Sequence, residues 1–260
     1  MLDDEPAPRT GRLRRAASGC ALAVGFLTIV PVQARDWGPD GLRRAGAWFP
    51  LVGAFVGALA GGARVLSQPL VGPAAASVLS IIVLVALTGV LHQDALADTA
   101  DGLGAQGDRE RRLAAMRDSA VGVFGALALV LWALLFLTVL ATLSGQHAFS
   151  ALVTAGAVSR WSALLHTAGT APARTDGLGA AFYTDHISLA AGGATAVLAA
   201  GLACGPLPGL AALGAGGAVA AGSALLVRRT FGGRTGDTLG ATVAITEVAV
   251  CTVLLAVWGA

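Results

Sequence analysis

The sequence predicts an all-α protein: a polytopic integral membrane helical bundle of about seven transmembrane helices, preceded by an N-terminal re-entrant or interfacial helix. Three observations carry this. The 260 residues are 55% hydrophobic and only 12% charged, with a mean hydropathy of +0.74, too apolar for an ordinary soluble domain. Seven apolar runs of about 20 residues, the length that crosses a bilayer core, follow one another along the chain. The arginines gather in alternate loops, as they do when they mark one side of a membrane. No room is left for a second unit, so residues 1–260 read as a single membrane-embedded domain.

The elements follow in order. Arg12, Arg14 and Arg15 precede an apolar run from Ala16 to Val32, and Val32-Gln33-Ala34 resembles the cleavage site of a signal peptide. Cleavage there would leave the loop 35–44, with Arg35, Arg43 and Arg44, outside, against the charge rule. A re-entrant or interfacial helix over 16–32 with both ends cytoplasmic fits better, its backbone screened by neighbouring spans. The spans then cover 46–66, 71–91, 120–143, 148–168, 187–204, 207–227 and 238–258. Gly53 and Gly57 have the small-xxx-small spacing that lets membrane helices approach closely.

Charge sets the orientation. Arg109, Arg111, Arg112 and Arg117 lie in one loop, Arg174 in the next but one, and Arg228, Arg229 and Arg234 in the last. The intervening loops near 67–70, 144–147 and 205–208 carry no arginine. The arginine loops are therefore cytoplasmic, with Arg64 the exception. Nearly every acidic residue falls on that side too, which suits an enzyme working at one face better than a conduit. A net charge of +2 makes nucleic acid an improbable partner. Cys20, Cys204 and Cys251 lie far apart, without the spacing of a zinc site or a disulfide framework.

The chemistry concentrates in His92-Gln93-Asp94-Ala95-Leu96-Ala97-Asp98-Thr99-Ala100-Asp101-Gly102. Asp94, Asp98 and Asp101 stand at i, i+4 and i+7, so a helix projects all three from one face. Like charges so placed repel, and a divalent cation makes them tolerable; carboxylate-held Mg²⁺ usually works on phosphates. A solvated acidic helix end is the plainer alternative. Gly102 and Gly104 allow close backbone approach beyond it. Asp118 is either a fourth carboxylate of a metal site or a helix cap, and Arg117 either a phosphate clamp or a surface arginine. Arg160 lies inside the fourth span, where a charge is costly; it serves phosphate, an ion pair with Glu247, or both. Asp237 is an N-cap or part of a phosphate site. His92 sits off the Asp94 face and is assigned a supporting role.

These motifs resemble, over essentially the whole chain, the cobalamin synthase family. The match runs through Phe26-Leu27-Thr28-Ile29-Val30-Pro31-Val32, Phe49-Pro50-Leu51-Val52-Gly53 and the aspartate motif. It continues through Met116-Arg117-Asp118-Ser119 with Gly122 and Gly125, Val158-Ser159-Arg160, Asp176-Gly177-Leu178-Gly179 and Thr235-Gly236-Asp237-Thr238-Leu239-Gly240-Ala241. Where the family usually reads His-Leu-Asp-Gly-Leu-Ala-Asp-Thr, this chain has Gln93 and Ala95, and Ala244 stands where the family commonly has a glutamate.

The resemblance implies an adenosylcobinamide-GDP ribazoletransferase of a bacterial inner membrane, its site facing the cytoplasm. Such an enzyme joins adenosylcobinamide-GDP to α-ribazole or its 5′-phosphate and releases GMP. It implies Mg²⁺ as cofactor, held by Asp94, Asp98, Asp101 and Asp118. Catalytic roles fall to Asp98, Asp101, Asp118, Arg117 and Arg160, and substrate contacts to His92, Arg117, Ser119, Arg160 and Asp237. Besides the two small molecules and the bilayer, it leaves room for a homo-oligomer or a complex with other cobalamin-assembly enzymes. Two alternatives stand beside it. A CDP-alcohol phosphotransferase shares the aspartate–Mg²⁺ logic, but its signature is absent: Asp101-Gly102 is followed by Leu-Gly-Ala-Gln. An ion-coupled transporter using Arg160 and Glu247 lacks support from an inverted repeat.

Overall fold

The computed structural model describes residues 9–32 and 38–259, with side chains from residue 16 onward. Gln33, Ala34 and Arg35, and the side chains of Arg12, Arg14 and Arg15, lie outside the described residues. The chain is helical nearly throughout. Its elements are α1 (Arg9–Leu27), α2 (Pro39–Gly46), α3 (Phe49–Leu87), α4 (Leu91–Gly104), α5 (Arg109–Ala115), α6 (Val123–Thr142), α7 (Gly145–Gly169), α8 (Leu178–Ala181), α9 (His186–Cys204), α10 (Pro206–Thr230) and α11 (Gly236–Trp258).

Among the described residues, six helical runs are long and apolar enough to cross a membrane: α3, α6, α7, α9, α10 and α11. The 39-residue α3 is broken at Gly72, whose φ of 78° and ψ of 170° interrupt the helix between Pro69 and Pro73. Only glycine adopts that backbone without strain, and Pro73 cannot continue the hydrogen-bond ladder. The two halves, 49–71 and 73–87, bring the membrane-crossing segments to the expected seven, with the second ending earlier than 91. Leu66, Leu70, Val123, Ile187, Leu202 and Leu207 face outward, as side chains that meet lipid do.

Helices α7 and α11 form the centre. Of their most apolar stretches, 72% and 56% are buried inside the protein, against 22% for each of the other four. Glycines make the tightest contact, between α3 and α7. A Cβ added to Gly53 would stand 2.0 Å from the Gly156 carbonyl oxygen, and one on Gly57 2.1 Å from that of Leu152. The small-xxx-small pair is thus the α3 face of a backbone-to-backbone packing.

The apolar part of α1, Ala16–Leu27, is shorter than a span. It does not cross on its own. Leu22, Ala23 and Leu27 pack into one core with Leu42 and Ala45 of α2, Phe49 and Val52 of α3, and Phe182. The Ile29 N–H closes the segment onto the Leu87 carbonyl at 2.9 Å. This is the geometry expected of an interfacial or re-entrant piece.

Arg64, the one arginine off the charge pattern, is fully buried. Its guanidinium donates to Gln68 and, at 3.4 and 3.5 Å, to the carbonyls of Leu140 and Leu143 at the C-terminal end of α6. A cation there satisfies orphan carbonyls and complements the helix dipole, so its role is internal and it does not mark a loop.

Candidate active site

The cavity of interest opens at the end of the bundle where α4, α5 and the arginine loops meet. Its position starts with a turn. Helix α3 stops at Leu87, and Gly89 and Val90 follow with φ of 59° and 65°. A β-branched residue in the left-handed region is strained, and here it restarts the chain as α4 in a new direction. That turn places His92 and Asp94 in the wall of a cavity of about 340 Å³.

The remaining wall comes from far along the chain. Arg160 projects from α7, Asp237 from the first turn of α11, and Arg174 and Asp176 from the α7–α8 loop, with Arg117 beyond α5. The opposite side is apolar: Phe26 and Leu27 of α1, Phe49 of α3, Phe182 and Leu239. Phe26, Phe49 and Phe182 stack in sequence, with centroids 5.6 and 5.4 Å apart and planes within 8°.

Two loops form the rim, held together by backbone bonds. Ala173 N–H donates to the Arg234 carbonyl at 2.8 Å, and Arg234 N–H to the Ala171 carbonyl at 2.9 Å. The buried Arg234 side chain donates to the carbonyls of Thr170, Phe182 and, at 3.5 Å, Thr167. Gly179 lies against the start of α11: an added Cβ would sit 2.7 Å from the Thr235 Cα. This explains the small residue in Asp176-Gly177-Leu178-Gly179. Thr235 caps α11 by accepting from Thr238 N–H at 3.2 Å while the Thr238 hydroxyl accepts from Thr235 N–H at 2.9 Å, a capping box. Asp237 is therefore free of the capping role that the sequence allowed it.

Several polar atoms in the wall lack a partner within the protein. His92 is 2% exposed, and neither ring nitrogen is bonded. Arg160, equally buried, forms an ion pair with Glu247 through Nη1, which also donates to Ser159 Oγ at 3.0 Å. Its Nε and Nη2 are unpartnered. The same holds for Nε and Nη2 of Arg174. Unsatisfied buried groups cost about 1–3 kcal/mol each, and several around one cavity suit a polar ligand that completes them.

The carboxylates divide. Asp94 is exposed in the cavity wall, and Asp98 lies one turn further along α4, half-buried. The Asp98 carboxyl is pushed up to about 6 by burial and by the charges of Asp94, Asp237 and Asp101. Those neighbours are close enough to act as one electrostatic group. Both oxygens of Asp101, however, accept backbone N–H groups at the start of α6, from Gly122 and Gly125 at 2.8 Å each. Asp118 is exposed and accepts from Ala120 N–H at 3.0 Å. Among the described residues, no three His, Cys, Asp or Glu side chains converge at metal-ligand distance. The expected quartet of Asp94, Asp98, Asp101 and Asp118 is thus not gathered at one point, because α6 needs Asp101 as its cap and the turn before α6 carries Asp118 away. The acidic residues lining the cavity beside Asp176 are Asp94 and Asp237, and Asp98 lies near both without lining it. Mg²⁺ commonly takes one or two protein carboxylates and fills its shell with waters and substrate phosphates, so this donor set fits it without a protein cage.

Arg117 holds both oxygens of Asp176, at 2.8 and 2.9 Å, on an exposed edge. Ser119 is exposed and lines no cavity described here. Arg117, Arg174 and Asp176 also line a second, open cleft of about 960 Å³ beside the first, together with Glu110, Leu113 and Thr175. Arg174 and Asp176 are the site residues to which the sequence assigned no role, although Asp176 opens one of the recognised motifs.

The family described as CobS: Cobalamin-5-phosphate synthase matches residues 19–255. A protein of Shewanella amazonensis named adenosylcobinamide-GDP ribazoletransferase is 38% identical over 91% of this chain and 94% of its own length. Proteins of the same name from Mesorhizobium japonicum and Escherichia coli are 39% and 36% identical, covering 91% and 89% of this chain and 92% and 97% of their own. No solved structure matches the chain. With the family matched from within α1 to near the end of α11, the chain belongs to the cobalamin-5-phosphate synthase family.

Proposed function

We propose that this protein is a Mg²⁺-dependent adenosylcobinamide-GDP ribazoletransferase, a membrane enzyme whose site faces the cytoplasm of a bacterial cell. The observation that carries the chemistry is the meeting of Asp94 and Asp237 with Arg160, Arg174 and Arg117 around one cavity, with Asp98 close enough behind the wall to feel both carboxylates. Carboxylates beside guanidinium groups that keep unpartnered nitrogens, as Arg160 and Arg174 do, are a donor set for a diphosphate and its metal. The arginine loops gathered at this end support the cytoplasmic orientation.

The reaction balances as follows. A ribose hydroxyl of the acceptor forms a bond to the phosphorus attached to cobinamide, the bond from that phosphorus to the GMP oxygen breaks, and GMP leaves. A product that keeps a 5-phosphate, as the family's description states, is joined through another hydroxyl of the ribose. Asp237, on the wall opposite α4, takes up the hydroxyl proton. Arg174 and Arg117 hold the diphosphate oxygens, and Arg160, kept in place by Glu247, stabilises the charge that develops on phosphorus. Asp94, with Asp98 one turn further along α4, would hold Mg²⁺, which when bound would supply charge neutralisation at the diphosphate and leaving group.

The test is an assay of purified protein in nanodiscs with adenosylcobinamide-GDP, α-ribazole or its 5′-phosphate, and Mg²⁺, following GMP. Activity lost with EDTA and with Asp98→Ala supports the proposal; full activity of Asp98→Ala refutes the metal role of the aspartates.

A further inference from the structure

The two cavities differ in size and openness, and the two substrates differ in size. The inner cavity holds about 340 Å³, is the less open of the two, and has one aromatic wall. The outer cleft is about 960 Å³, more open, and lined by Glu110, Arg117, Arg174 and Asp176 among small or apolar neighbours such as Leu113, Ala114 and Ala180. α-Ribazole is a flat benzimidazole on a ribose. Adenosylcobinamide-GDP carries a corrin macrocycle with its amide arms, an adenosyl group and a guanosine diphosphate, and has several times the atoms. Ligand pockets bury most of a small ligand's surface within a few hundred cubic ångströms, so the nucleoside fits the inner cavity and the corrinoid does not.

Resting on the proposed transferase function, we propose that the inner cavity is the acceptor site. It takes α-ribazole with its base along the Phe26–Phe49–Phe182 wall, while the corrinoid substrate stays in the outer cleft and reaches in only with its diphosphate. The three rings share one plane direction, and aromatic rings favour offset stacking at such spacings. The unbonded His92 nitrogens are the donor and acceptor a ribose or a ring nitrogen would meet. Arg117, Arg174 and Asp176 line both cavities. They mark the junction, which is where the attacked phosphorus must sit if one substrate comes from each side. Arg174 is the specificity residue for the diphosphate: burial and the neighbouring Arg117 act on its guanidinium, whose Nε and Nη2 await an acceptor.

The experiment is two-substrate steady-state kinetics on the full chain in nanodiscs, with equilibrium dialysis of labelled α-ribazole in the absence of corrinoid. Ala163 lines the inner cavity, and Ala163→Leu fills part of it. The expected result is a rise of about tenfold or more in the KM for α-ribazole, a matching loss of binding in dialysis, and a corrinoid KM within about twofold of wild type. Phe26→Leu, on the half-buried end of the stack, raises the same KM by about three- to tenfold and decides the matter if Ala163→Leu does not fold. Arg174→Gln raises the corrinoid KM instead. Ala163→Leu or Phe26→Leu that shifts the corrinoid KM, or leaves that of α-ribazole unchanged in an active enzyme, overturns the assignment. Wild-type protein that releases no GMP, where the Escherichia coli relative does, overturns the function itself.

Discussion

Asp101 accepts the backbone N–H of Gly125 at 2.8 Å, joining the last turn of α4 to the first turn of α6. Its other oxygen takes the Gly122 N–H. The two glycines are required by that contact: a Cβ on either would stand 2.4 Å from an Asp101 oxygen. Asp101 therefore acts as a cap from a neighbouring helix, with a negative charge at the positive end of α6.

A separation of roles between two aspartates of one motif follows. Asp101→Ala should lower stability by about 1–2 kcal/mol, the usual loss for a helix cap, with substrate KM values unchanged in whatever protein remains folded. Asp98→Asn should leave the melting temperature unchanged or higher, since it relieves repulsion, yet remove turnover. Thermal unfolding in detergent beside kinetics at 20 °C distinguishes them; equal loss of stability in both variants would contradict the division.

Metal affinity should depend on pH through Asp98. Its folded-state carboxyl titrates near about 6, above the ordinary carboxylate range, because of burial and the charges of Asp94, Asp237 and Asp101. Between the ordinary value and about 6 the folded state binds more protons than the unfolded one. The metal-free protein therefore loses this stability contribution as pH rises through that window. Mg²⁺ needs the deprotonated carboxylate, so its stabilising effect should be large at pH 8, fall as pH drops through about 6, and be small at pH 5. Melting curves with and without Mg²⁺ at the three pH values check this. An increment that is independent of pH, or that survives in Asp98→Asn, would be inconsistent with Asp98 as a ligand.

The α3–α7 contact admits no side chain. Gly53→Ala forces a Cβ to within 2.0 Å of the Gly156 oxygen, a backbone atom that cannot rotate away. Overpacking of this kind costs about 1–3 kcal/mol or more, and here it also shifts Arg160, whose Cδ would lie 2.7 Å from that Cβ. Gly62, one helical region along, has nothing within 4 Å, so Gly62→Ala should be neutral or stabilise by up to about 1 kcal/mol. Detergent melting temperatures of the two variants should move in opposite directions.

The six long helical runs were legible because each is an apolar run of at least bilayer length, and the N-terminal helix because its apolar part, Ala16–Leu27, is short. The break at Gly72 was visible as a gap between spans but not as one continuous helical run. The shared helix face of Asp94 and Asp98 was legible from their spacing, and the structure sets Asp94 in the cavity wall. Asp101 was not separable from them, because its partners are backbone N–H groups of a helix that begins 22 residues later, and i+7 spacing places it on the same face whether it meets metal or amide. Arg174 escaped notice because an arginine in a polar loop carries no sequence signal of burial. Rim bonds between residues 171–173 and 234 help bring it to the cavity.

The buried pair Arg160–Glu247 offers the sharpest test of function against architecture. Both side chains are within 1% of full burial, and they meet across α7 and α11. Removing one partner, as in Glu247→Leu, leaves an uncompensated charge inside the bundle and should destabilise by about 3–5 kcal/mol. Removing both, as in Arg160→Met with Glu247→Leu, takes away the charge and its penalty together, and such replacements are often neutral. The double variant should therefore regain a melting temperature near wild type. If Arg160 only holds helices together, the double variant should also regain activity. With Nε and Nη2 unpartnered in the cavity wall, the expected outcome is a folded protein whose kcat is reduced by about 100-fold or more, the loss typical of removing a donor to developing charge. Recovery of kcat with recovery of stability would reassign Arg160 to the scaffold.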